Sequence, residues 1–421
     1  MLDIKFIREN KDLITAAAKK KRLDFNIDEL LRLDDERRAL LSVVESRRAE
    51  HNRRSESFAR TERRELMAEE LRTLKGSLEE EEKKLRELMQ KWQALMLQVP
   101  NIPDISVPDG ESEKDNKEVR AWGEKPVFDF SPKGHMELME TLGMADFVRG
   151  GETSGFRGYF LANEGALLCF ALWQLTVAHF LEKGFTPMLV PSRVRRQSLL
   201  GTGYLPQGEE DLYKTQDGDY LAGTGEVAAM SYFSGSTLAK AELPKKLLAF
   251  SPCFRREAGS YGKDAKGLFR VHEFFKFEQV VLCEASHEAT VALHEEITTR
   301  AEELLQALNL PYRVVINCGA DLGLGQVKKY DLEAWVPSEK RYRETHSSSY
   351  FHDFQTRRLN IRYKDADGRL RFAHSLNNTA LATPRLLIPL VECNQRSDGS
   401  VTVPEALRKY IGKEVIMQKA L

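Results

Sequence analysis

The stretch Ser-Pro-Cys-Phe-Arg-Arg-Glu-Ala-Gly-Ser at residues 251–260 indicates a strand that runs into a loop. A glycine-containing segment follows, and an apolar alternation over 270–282 indicates the returning strand of a hairpin. Side chains two apart on a strand point the same way, so we expect Arg255 and Glu257 on one face. An arginine fork binds a phosphate or a carboxylate at any working pH, and a carboxylate accepts a hydrogen bond from an amine. The hairpin is therefore either a nucleotide-binding element or the carrier of an ordinary surface ion pair.

Composition excludes several classes of protein. The 421 residues are 42% hydrophobic and 30% charged, with a net charge of −1, so bulk charge does not attract a polyanion. The N-terminus is too charged for a signal peptide, and no apolar run reaches the length of a transmembrane helix. The five cysteines are far apart and form no Cys-x-x-Cys, which favours reduced thiols over zinc ligands. We therefore expect a cytoplasmic protein without a membrane partner.

Residues 28–98 carry the pattern of an antiparallel helical coiled coil. Over 67–99 apolar residues recur at alternating steps of three and four, and Glu81 alone breaks this seam. A weaker seam over 30–44 precedes it. A turn near 55–63 would join two arms of about thirty residues, each roughly 45 Å long at 1.5 Å per residue.

Arginines are concentrated at the expected tip of this arm, where residues 47–64 contain seven Arg and three Glu. One interpretation is a positive tip that binds the phosphate backbone of a nucleic acid. The other is a solvated helical face with pairs four residues apart, such as Glu50 with Arg54. The candidate phosphate contacts are Arg47, Arg48, Arg53, Arg54, Arg60, Arg63 and Arg64.

The chain divides into three predicted segments. Residues 1–103 form an N-terminal domain that contains the helical arm, and the polar, Pro-containing residues 104–132 form a linker. Residues 133–421 alternate helices with strand-like runs, but without a regular βαβ period. We therefore expect an α+β fold, with an antiparallel β-sheet flanked by helices in the third segment.

Polar groups suited to a small ligand occur in two places near the hairpin. Thr224 and Glu226 either offer a hydroxyl and a carboxylate to an ammonium group or cap the start of a helix. On the returning strand, Phe274 either stacks on a purine or belongs to the core. Glu278 either accepts a hydrogen bond from a ligand or pairs with Lys276.

Two later segments complete the set of candidate sites. In the segment 342–349, predicted to be a loop, Glu344 and Ser347 offer the hard oxygen ligands that Mg²⁺ prefers, or merely cap the loop. The segment 376–385 reads as a turn that enters a helix, with Arg385 and backbone N–H groups facing an anion or a ring. We expect Pro389 to kink that helix.

Taken in this order, the segments resemble the class II aminoacyl-tRNA synthetases, and specifically the seryl-tRNA synthetase family. The stretch 254–260 is similar to motif 2 of that family, and 376–385 with the following helix is similar to motif 3. The end of motif 1 is matched at 184–191, and 201–206 is a further match. The resemblance covers nearly the whole chain, including the arm.

Two positions depart from the family pattern. Gly225 stands where the family more often has Ala or Ser, and 377–380 reads Asn-Asn-Thr-Ala in place of the commoner Asn-Gly-Ser-Gly. Thr379 keeps a hydroxyl, so the resemblance still implies a contact with the substrate there.

The resemblance implies a ligase of protein biosynthesis that attaches L-serine to tRNA(Ser) through a seryl-adenylate. It further implies a cytoplasmic homodimer that uses ATP and Mg²⁺, with tRNA and not DNA as its nucleic acid. The implied serine ligands are Thr224, Glu226, Arg255, Glu278, Asn377 and Thr379. The implied ATP contacts are Arg255, Glu257, Val271, Phe274, Glu344, Thr345, His346, Ser347 and Arg385, and Glu344 and Ser347 would hold Mg²⁺.

Two other functions remain open from the sequence. A synthetase-like paralogue would load a small amino acid onto a carrier protein, but it would not need the arginine-rich arm. An inactive RNA-binding homologue would not need the complete set of Arg255, Glu257, Glu344 and Arg385.

Overall fold

The protein is described by a computed structural model that covers residues 2–58, 64–259, 262, 264 and 266–418. It forms two units, one of Met1–Lys19 with Leu23–Pro100 and the other of Lys20–Arg22 with Asn101–Leu421. The helices are α1 (Ile4–Glu9), α2 (Lys11–Lys20), α3 (Ile27–Phe58), α4 (Arg64–Met96), α5 (His135–Thr141), α6 (Phe147–Ser154), α7 (Asn163–Glu182), α8 (Arg196–Thr202), α9 (Glu226–Ser231), α10 (His287–Ala307), α11 (Phe354–Leu359), α12 (Leu387–Cys393) and α13 (Glu405–Ile411).

The helices α3 and α4 pack as the predicted antiparallel coiled coil. They contain 32 and 33 residues, so each is about 48–50 Å long at 1.5 Å per residue. Leu78 and Leu85 of α4 are buried against Val44 of α3. Buried or half-buried residues of α4 recur every three or four positions, as the apolar pattern predicts, and include Leu71, Leu74, Leu78, Glu81, Leu85, Leu88, Trp92 and Leu95.

Ion pairs across the arm define its register. The break in the seam at Glu81 faces Arg47, whose Nε lies 3.2 Å from the Glu81 carboxylate. Arg48 Nη2 lies 2.5 Å from Glu82, and nearer the base the Arg37 guanidinium stacks over Trp92 at 4.6 Å. Partners on α4 move back towards its start as the arginines advance along α3, which is the arrangement of an antiparallel pair.

Several arginines that we predicted as phosphate contacts are held by the arm itself. Arg54 pairs with Glu50 at 2.6 Å, as the alternative interpretation expected, and with Glu70 at 3.3 Å. Arg53 Nε donates to a backbone carbonyl at 3.4 Å. Arg60, Arg63 and the side chain of Arg64 lie outside the described residues.

Replacing the polar pair within the seam by leucines should stabilise the arm. We expect Arg47→Leu with Glu81→Leu to stabilise α3 and α4 by about 1–4 kcal/mol, because apolar side chains of similar size avoid the desolvation of a charge pair. Slower amide hydrogen exchange around positions 47 and 81 in the double variant would show this stabilisation. Arg47→Leu alone is the control, because it leaves the carboxylate without its cation and should speed exchange. Faster exchange in the double variant would contradict the expectation.

Within the described residues, eight strands of the second unit form one sheet. The strands are β1 (Lys117–Trp122), β2 (Thr186–Leu189), β3 (Lys245–Phe254), β4 (Glu273–Cys283), β5 (Tyr312–Ile316), β6 (Lys328–Val336), β7 (Arg341–His352) and β8 (His374–Thr383). Their spatial order in the sheet is β1-β5-β6-β7-β8-β4-β3-β2. Neighbouring strands are antiparallel except for the parallel pair of β2 and β3, which confirms the predicted α+β class.

Short strands form small sheets beside the main one. They are Ala145–Asp146, Phe160–Leu161, Arg193–Val194, Tyr213–Lys214, Tyr220–Leu221, Thr237–Ala239, Arg362–Lys364, Leu370–Phe372, Val401–Thr402 and Val415–Ile416.

Helices α7 and α10 contribute to the main core with fully buried residues such as Leu168, Leu172 and Ile297. Among the described residues, α7 is the one helix whose length and apolar composition would allow it to cross a membrane. We interpret α7 as a core helix, since the Trp173 ring packs at a tilt against Phe275 of β4, with ring centres 5.2 Å apart.

The structure corrects four expectations about local structure. The predicted linker 104–132 contains β1, which pairs with β5 at one edge of the sheet. The segment 342–349 is part of β7 and not a loop, and most of 376–385 is part of β8 and not a turn. Pro389 lies in the first turn of α12, where its missing N–H needs no partner, so it has no reason to kink the helix.

Candidate active site

A cavity of about 330 Å³ lies over β4, β7 and β8 of the main sheet. Its wall contains residues from every segment that the sequence singled out. The predicted site residues in the wall are Thr224, Glu226, Arg255, Glu257, Val271, Phe274, Glu278, Glu344, Thr345, Ser347, Asn377, Thr379 and Arg385. The structure thus brings together groups that are spread over more than 160 residues of sequence.

Strand β4 supplies one wall of the cavity through simple alternation. Phe274, Lys276 and Glu278 occupy every second position and line the cavity, whereas Phe275 faces the core. Glu278 pairs directly with Thr379 of β8 across the strands. Phe274 is thus available to a ring in the cavity, and Glu278 lies beside a hydroxyl.

Bulges in β7 and β8 decide which side chains enter the cavity. In β7 the pairing with β6 skips Thr345, so Glu344 and Ser347, three positions apart, both line the cavity. In β8 the pairing with β4 skips Ala380 in the same way. A regular strand would have turned Ser347 away from the face that holds Glu344, because side chains alternate with a period of two.

His346 corrects one of the predicted ATP contacts. Its side chain is buried and lies outside the cavity wall, between the wall residues Thr345 and Ser347. Its Nδ1 lies 2.9 Å from Thr345 Oγ1. Burial lowers the pKa of His346 to about 4, so the ring is neutral at pH 7. His346 is therefore a packed strand residue and not the side-chain ligand or loop residue that the sequence indicated.

Arg255 and Glu257 reach the cavity in a way that the expected hairpin did not predict. Strand β3 ends at Phe254, so Arg255 and Glu257 are not two positions of one strand. Glu257 adopts a left-handed backbone with φ of 53°, and Arg270 Nη1 donates to its carboxylate at 2.6 Å. Both side chains line the cavity because the chain turns there, and not because a strand alternates.

The end of the cavity near Phe274 is suited to a purine and phosphates. The Arg255 guanidinium lies 5.3 Å from the centre of the Phe274 ring, and its Nε donates to the Gly223 carbonyl at 3.3 Å. Arg385 Nη1 lies 3.5 Å from the Glu344 carboxylate. An aromatic ring and two guanidinium groups in one cavity wall form a place where a nucleotide base and its phosphates would both find partners.

The other end of the cavity holds Thr224 and Glu226. Helix α9 begins at Glu226, whose N–H donates to Thr224 Oγ1 at 3.3 Å, so Thr224 accepts a hydrogen bond at the start of the helix and also lines the cavity. Gly225 has φ of −65° and needs no glycine, so the departure from the family pattern does not distort this turn.

Glu226 is a buried carboxylate with two neutral hydrogen-bond donors. Tyr204 OH donates to Oε2 at 3.0 Å and Gln355 Nε2 donates to Oε1 at 2.7 Å. Burial raises the pKa of Glu226 above its usual value near 4.5. Burial removes the water that would otherwise solvate this carboxylate, and an ammonium group could take the place of that water. The carboxylate is therefore suited to a cationic ligand.

Removing this charge should change how stability depends on pH. Because the folded state raises the pKa of Glu226, the natural chain loses stability as pH rises above 4.5, by up to about 1.4 kcal/mol per pH unit until the folded pKa is passed. The Glu226→Gln variant has no ionisable group at this position, so it does not show this pH-dependent loss of stability. We therefore expect the melting temperature of the variant, relative to the natural chain, to rise as pH increases from 4.5 to the folded pKa of Glu226. A difference that stays constant over that range would contradict the raised pKa.

Glu278 has both partners that the sequence left as alternatives. It forms an ion pair with Lys276, and Thr224 Oγ1 donates to its Oε2 at 3.0 Å. It also lines the cavity, so pairing and ligand contact do not exclude each other.

The cavity wall contains polar residues that we did not predict. Strand alternation between Phe274 and Glu278 would have found Lys276, whereas Lys329 belongs to β6 and has no local signal. The unpredicted polar residues are Tyr204, Lys276, Gln326, Lys329, Ser349 and Thr383.

Comparisons with known families agree with both units of the chain. Residues 1–103 match the family described as "Seryl-tRNA synthetase N-terminal domain". Residues 213–394 match the family described as "tRNA synthetase class II core domain (G, H, P, S and T)". The chain is 46% identical to the serine–tRNA ligase of Deinococcus radiodurans, and the match covers 99% of each chain. It is 42% identical to that of Thermodesulfovibrio yellowstonii, over 99% of this chain and 100% of the relative.

Solved structures give the same result. A seryl-tRNA synthetase from Pyrococcus horikoshii complexed with ATP superimposes with a TM-score of 0.90 at 38% identity over the full length of both chains. A cytoplasmic serine–tRNA ligase from Naegleria fowleri in complex with AMP gives 0.86 at 30% identity, over 100% of this chain and 99% of the other. With high identity over the whole length, and both N-terminal and core regions matched, this chain belongs to the seryl-tRNA synthetase family.

Proposed function

We propose that this protein activates L-serine with ATP and transfers the seryl group to tRNA(Ser). The observation that carries the proposal is the single cavity in which Glu226, Glu278 and Thr379 lie at one end and Phe274 and Arg385 at the other. Two carboxylates and a hydroxyl suit a small amino acid with a hydroxyl side chain. An aromatic ring and guanidinium groups in the same wall suit a purine nucleotide.

Each end of the cavity holds one reactant. Thr224 and Glu226 bind the serine ammonium, and Glu278 and Thr379 bind its hydroxyl, with Asn377 beside them. Phe274 and Arg385 sandwich the adenine ring. Glu257 accepts from the adenine amine, and Val271 and Thr345 complete the wall on that side.

The first step joins the two reactants at Arg255, which lies between the two ends. A serine carboxylate oxygen attacks the ATP α-phosphorus in line and pyrophosphate leaves with its bond electrons. Arg255 holds both the attacking carboxylate and the α-phosphate, which places them for reaction and offsets the negative charge that develops. The terminal ribose hydroxyl of the tRNA then attacks the acyl carbon and AMP leaves.

The wall also offers a site that fits Mg²⁺. The bulge at Thr345 brings the Glu344 carboxylate and the Ser347 hydroxyl to the same wall, and hard oxygen donors are the ligands that Mg²⁺ prefers. We propose these two residues as its protein ligands. When bound, the cation would neutralise charge on the ATP phosphates.

Three further parts of the proposal concern assembly, location and the arm. Exposed Leu167, Phe170 and Leu181 on α7 supply an apolar surface for a homodimer, which sedimentation would test. Reduced cysteines favour the cytoplasm. The arginines of residues 47–64 bind tRNA phosphates, which requires Arg48 and Arg54 to exchange intramolecular carboxylates for phosphate oxygens.

Pyrophosphate exchange with each of the twenty amino acids, followed by charging of total tRNA, tests the proposed function. We expect exchange that depends on serine, and charging of tRNA with serine. A carrier-protein ligase would exchange with a small amino acid and charge no tRNA. An inactive RNA-binding homologue would do neither.

A further inference from the structure

Lys276 carries a positive charge into the pocket where the proposed function places the serine ammonium. It lies between Phe274 and Glu278 on β4, lines the cavity and is only 6% exposed. Its Nζ forms an ion pair with Glu278 Oε2. A buried lysine is costly without a partner, and a cation beside an ammonium site opposes substrate binding. The placement of Lys276 therefore needs an explanation in terms of the substrate.

The two carboxylates of this pocket have different kinds of partners. Glu226 is held by the neutral donors Tyr204 and Gln355, at 3.0 and 2.7 Å. Glu278 is held by the cation of Lys276 and by the Thr224 hydroxyl at 3.0 Å. An incoming ammonium group therefore gains most from Glu226, because the charge of Glu278 is already balanced.

We propose that Lys276 is a positioning residue that determines substrate specificity by balancing the charge of Glu278. The ion pair turns Glu278 so that it accepts a hydrogen bond from an uncharged hydroxyl. The same positive charge repels any substrate whose side chain ends in a cation. This inference rests on the proposed function, because it assigns the hydroxyl of serine to the Glu278 end of the pocket.

The proposal makes a specific prediction for 2,3-diaminopropionate, in which an ammonium group replaces the hydroxyl of serine. In the natural chain Lys276 repels that ammonium. Without Lys276, Glu278 has an unbalanced charge that attracts it and draws the α-ammonium of serine into the wrong place. Removing one positive charge should therefore lower the use of serine and raise the use of its cationic analogue.

Lys276→Met tests this, because methionine keeps an unbranched side chain and lacks the charge. In pyrophosphate exchange we expect kcat/KM for serine to fall by about tenfold or more, mainly through KM, as for the loss of one charge-assisted contact. The ratio of diaminopropionate use to serine use should rise by at least about tenfold, and KM for ATP should change by less than about twofold. Lys276→Arg keeps the charge and should keep the ratio near that of the natural chain.

Equal losses for serine, diaminopropionate and ATP would mean that Lys276 only supports the fold, and would overturn the proposal. An unchanged ratio in a folded Lys276→Met variant would overturn it as well.

A second pair of variants tests the proposal if Lys276→Met alone does not fold. In a Glu278→Gln background Lys276 has no carboxylate to balance, so its charge only repels the serine ammonium. Adding Lys276→Met should then raise kcat/KM for serine by about threefold or more, the opposite sign from its effect in the natural chain. No gain in the double variant overturns the proposal.

The natural chain separates the failure of this inference from the failure of the proposed function. Absence of serine-dependent exchange in the natural chain removes both. If the natural chain shows serine-dependent exchange but neither Lys276 variant changes the ratio of diaminopropionate use to serine use, only the inference about Lys276 fails.

Discussion

We expect Glu278→Ala to lower kcat/KM for serine by about a thousandfold and to leave KM for ATP within about twofold of the natural value, because the proposed serine site hydrogen-bonds a hydroxyl. Glu278 lies beside Thr379 and accepts from Thr224 at the end of the cavity away from the purine side. Its removal deprives the serine hydroxyl of an acceptor and leaves Lys276 without a counter-charge. Pyrophosphate exchange at varied serine and varied ATP concentration measures both effects.

Phe274→Ala is the matched control for this result. Phe274 lies four residues before Glu278 on the same strand, and its side chain faces the same cavity. Loss of a stacking ring should raise KM for ATP by about tenfold, the effect of one base–aromatic contact, with little effect on KM for serine. Equal losses of serine and ATP use in Glu278→Ala would contradict the assignment of the two ends.

We expect deletion of residues 28–98 to abolish tRNA charging and to leave adenylate formation intact. The cavity residues all belong to the second unit, whereas the deleted segment belongs to the first. The ion pairs between Arg48 and Glu82 and between Arg54 and Glu70 show that α3 and α4 run antiparallel. Ile27 can therefore be joined to Val99 through a short Gly-Ser linker. Serine-dependent pyrophosphate exchange and tRNA charging, assayed side by side, measure the two activities.

The full-length chain assayed in parallel is the control, with a melting curve to show that the shortened chain is folded. Charging by the natural chain should also fall steeply with salt, since phosphate contacts release counterions. If adenylate formation disappears in a shortened chain that remains folded, the division of labour between arm and cavity is wrong.

Regular periodicities accounted for the predictions that the structure confirms. The steps of three and four between Leu71 and Leu95 predicted the coiled coil, because a helical seam needs only local side-chain spacing. Alternation along β4 placed Phe274 and Glu278 on one face for the same reason.

Irregular backbone decided what local periodicity could not predict. The bulge at Thr345 decides that Glu344 and Ser347 share a wall, and nothing in the local sequence marks it. The family resemblance implied His346 as an ATP contact, yet the strand turns its side chain into the protein. Glu257 reaches the cavity through a left-handed turn that the expected hairpin lacked.

The sequence by itself determined the α+β class, the coiled-coil arm and the set of chemical groups, because these follow from local periodicity and from the order of the segments. Only the tertiary structure decided which of those groups share one cavity, and that Lys276 balances Glu278 within it. The physical reason is that strand pairing joins residues far apart in the chain, and one skipped residue in a ladder reverses the face of every side chain beyond it.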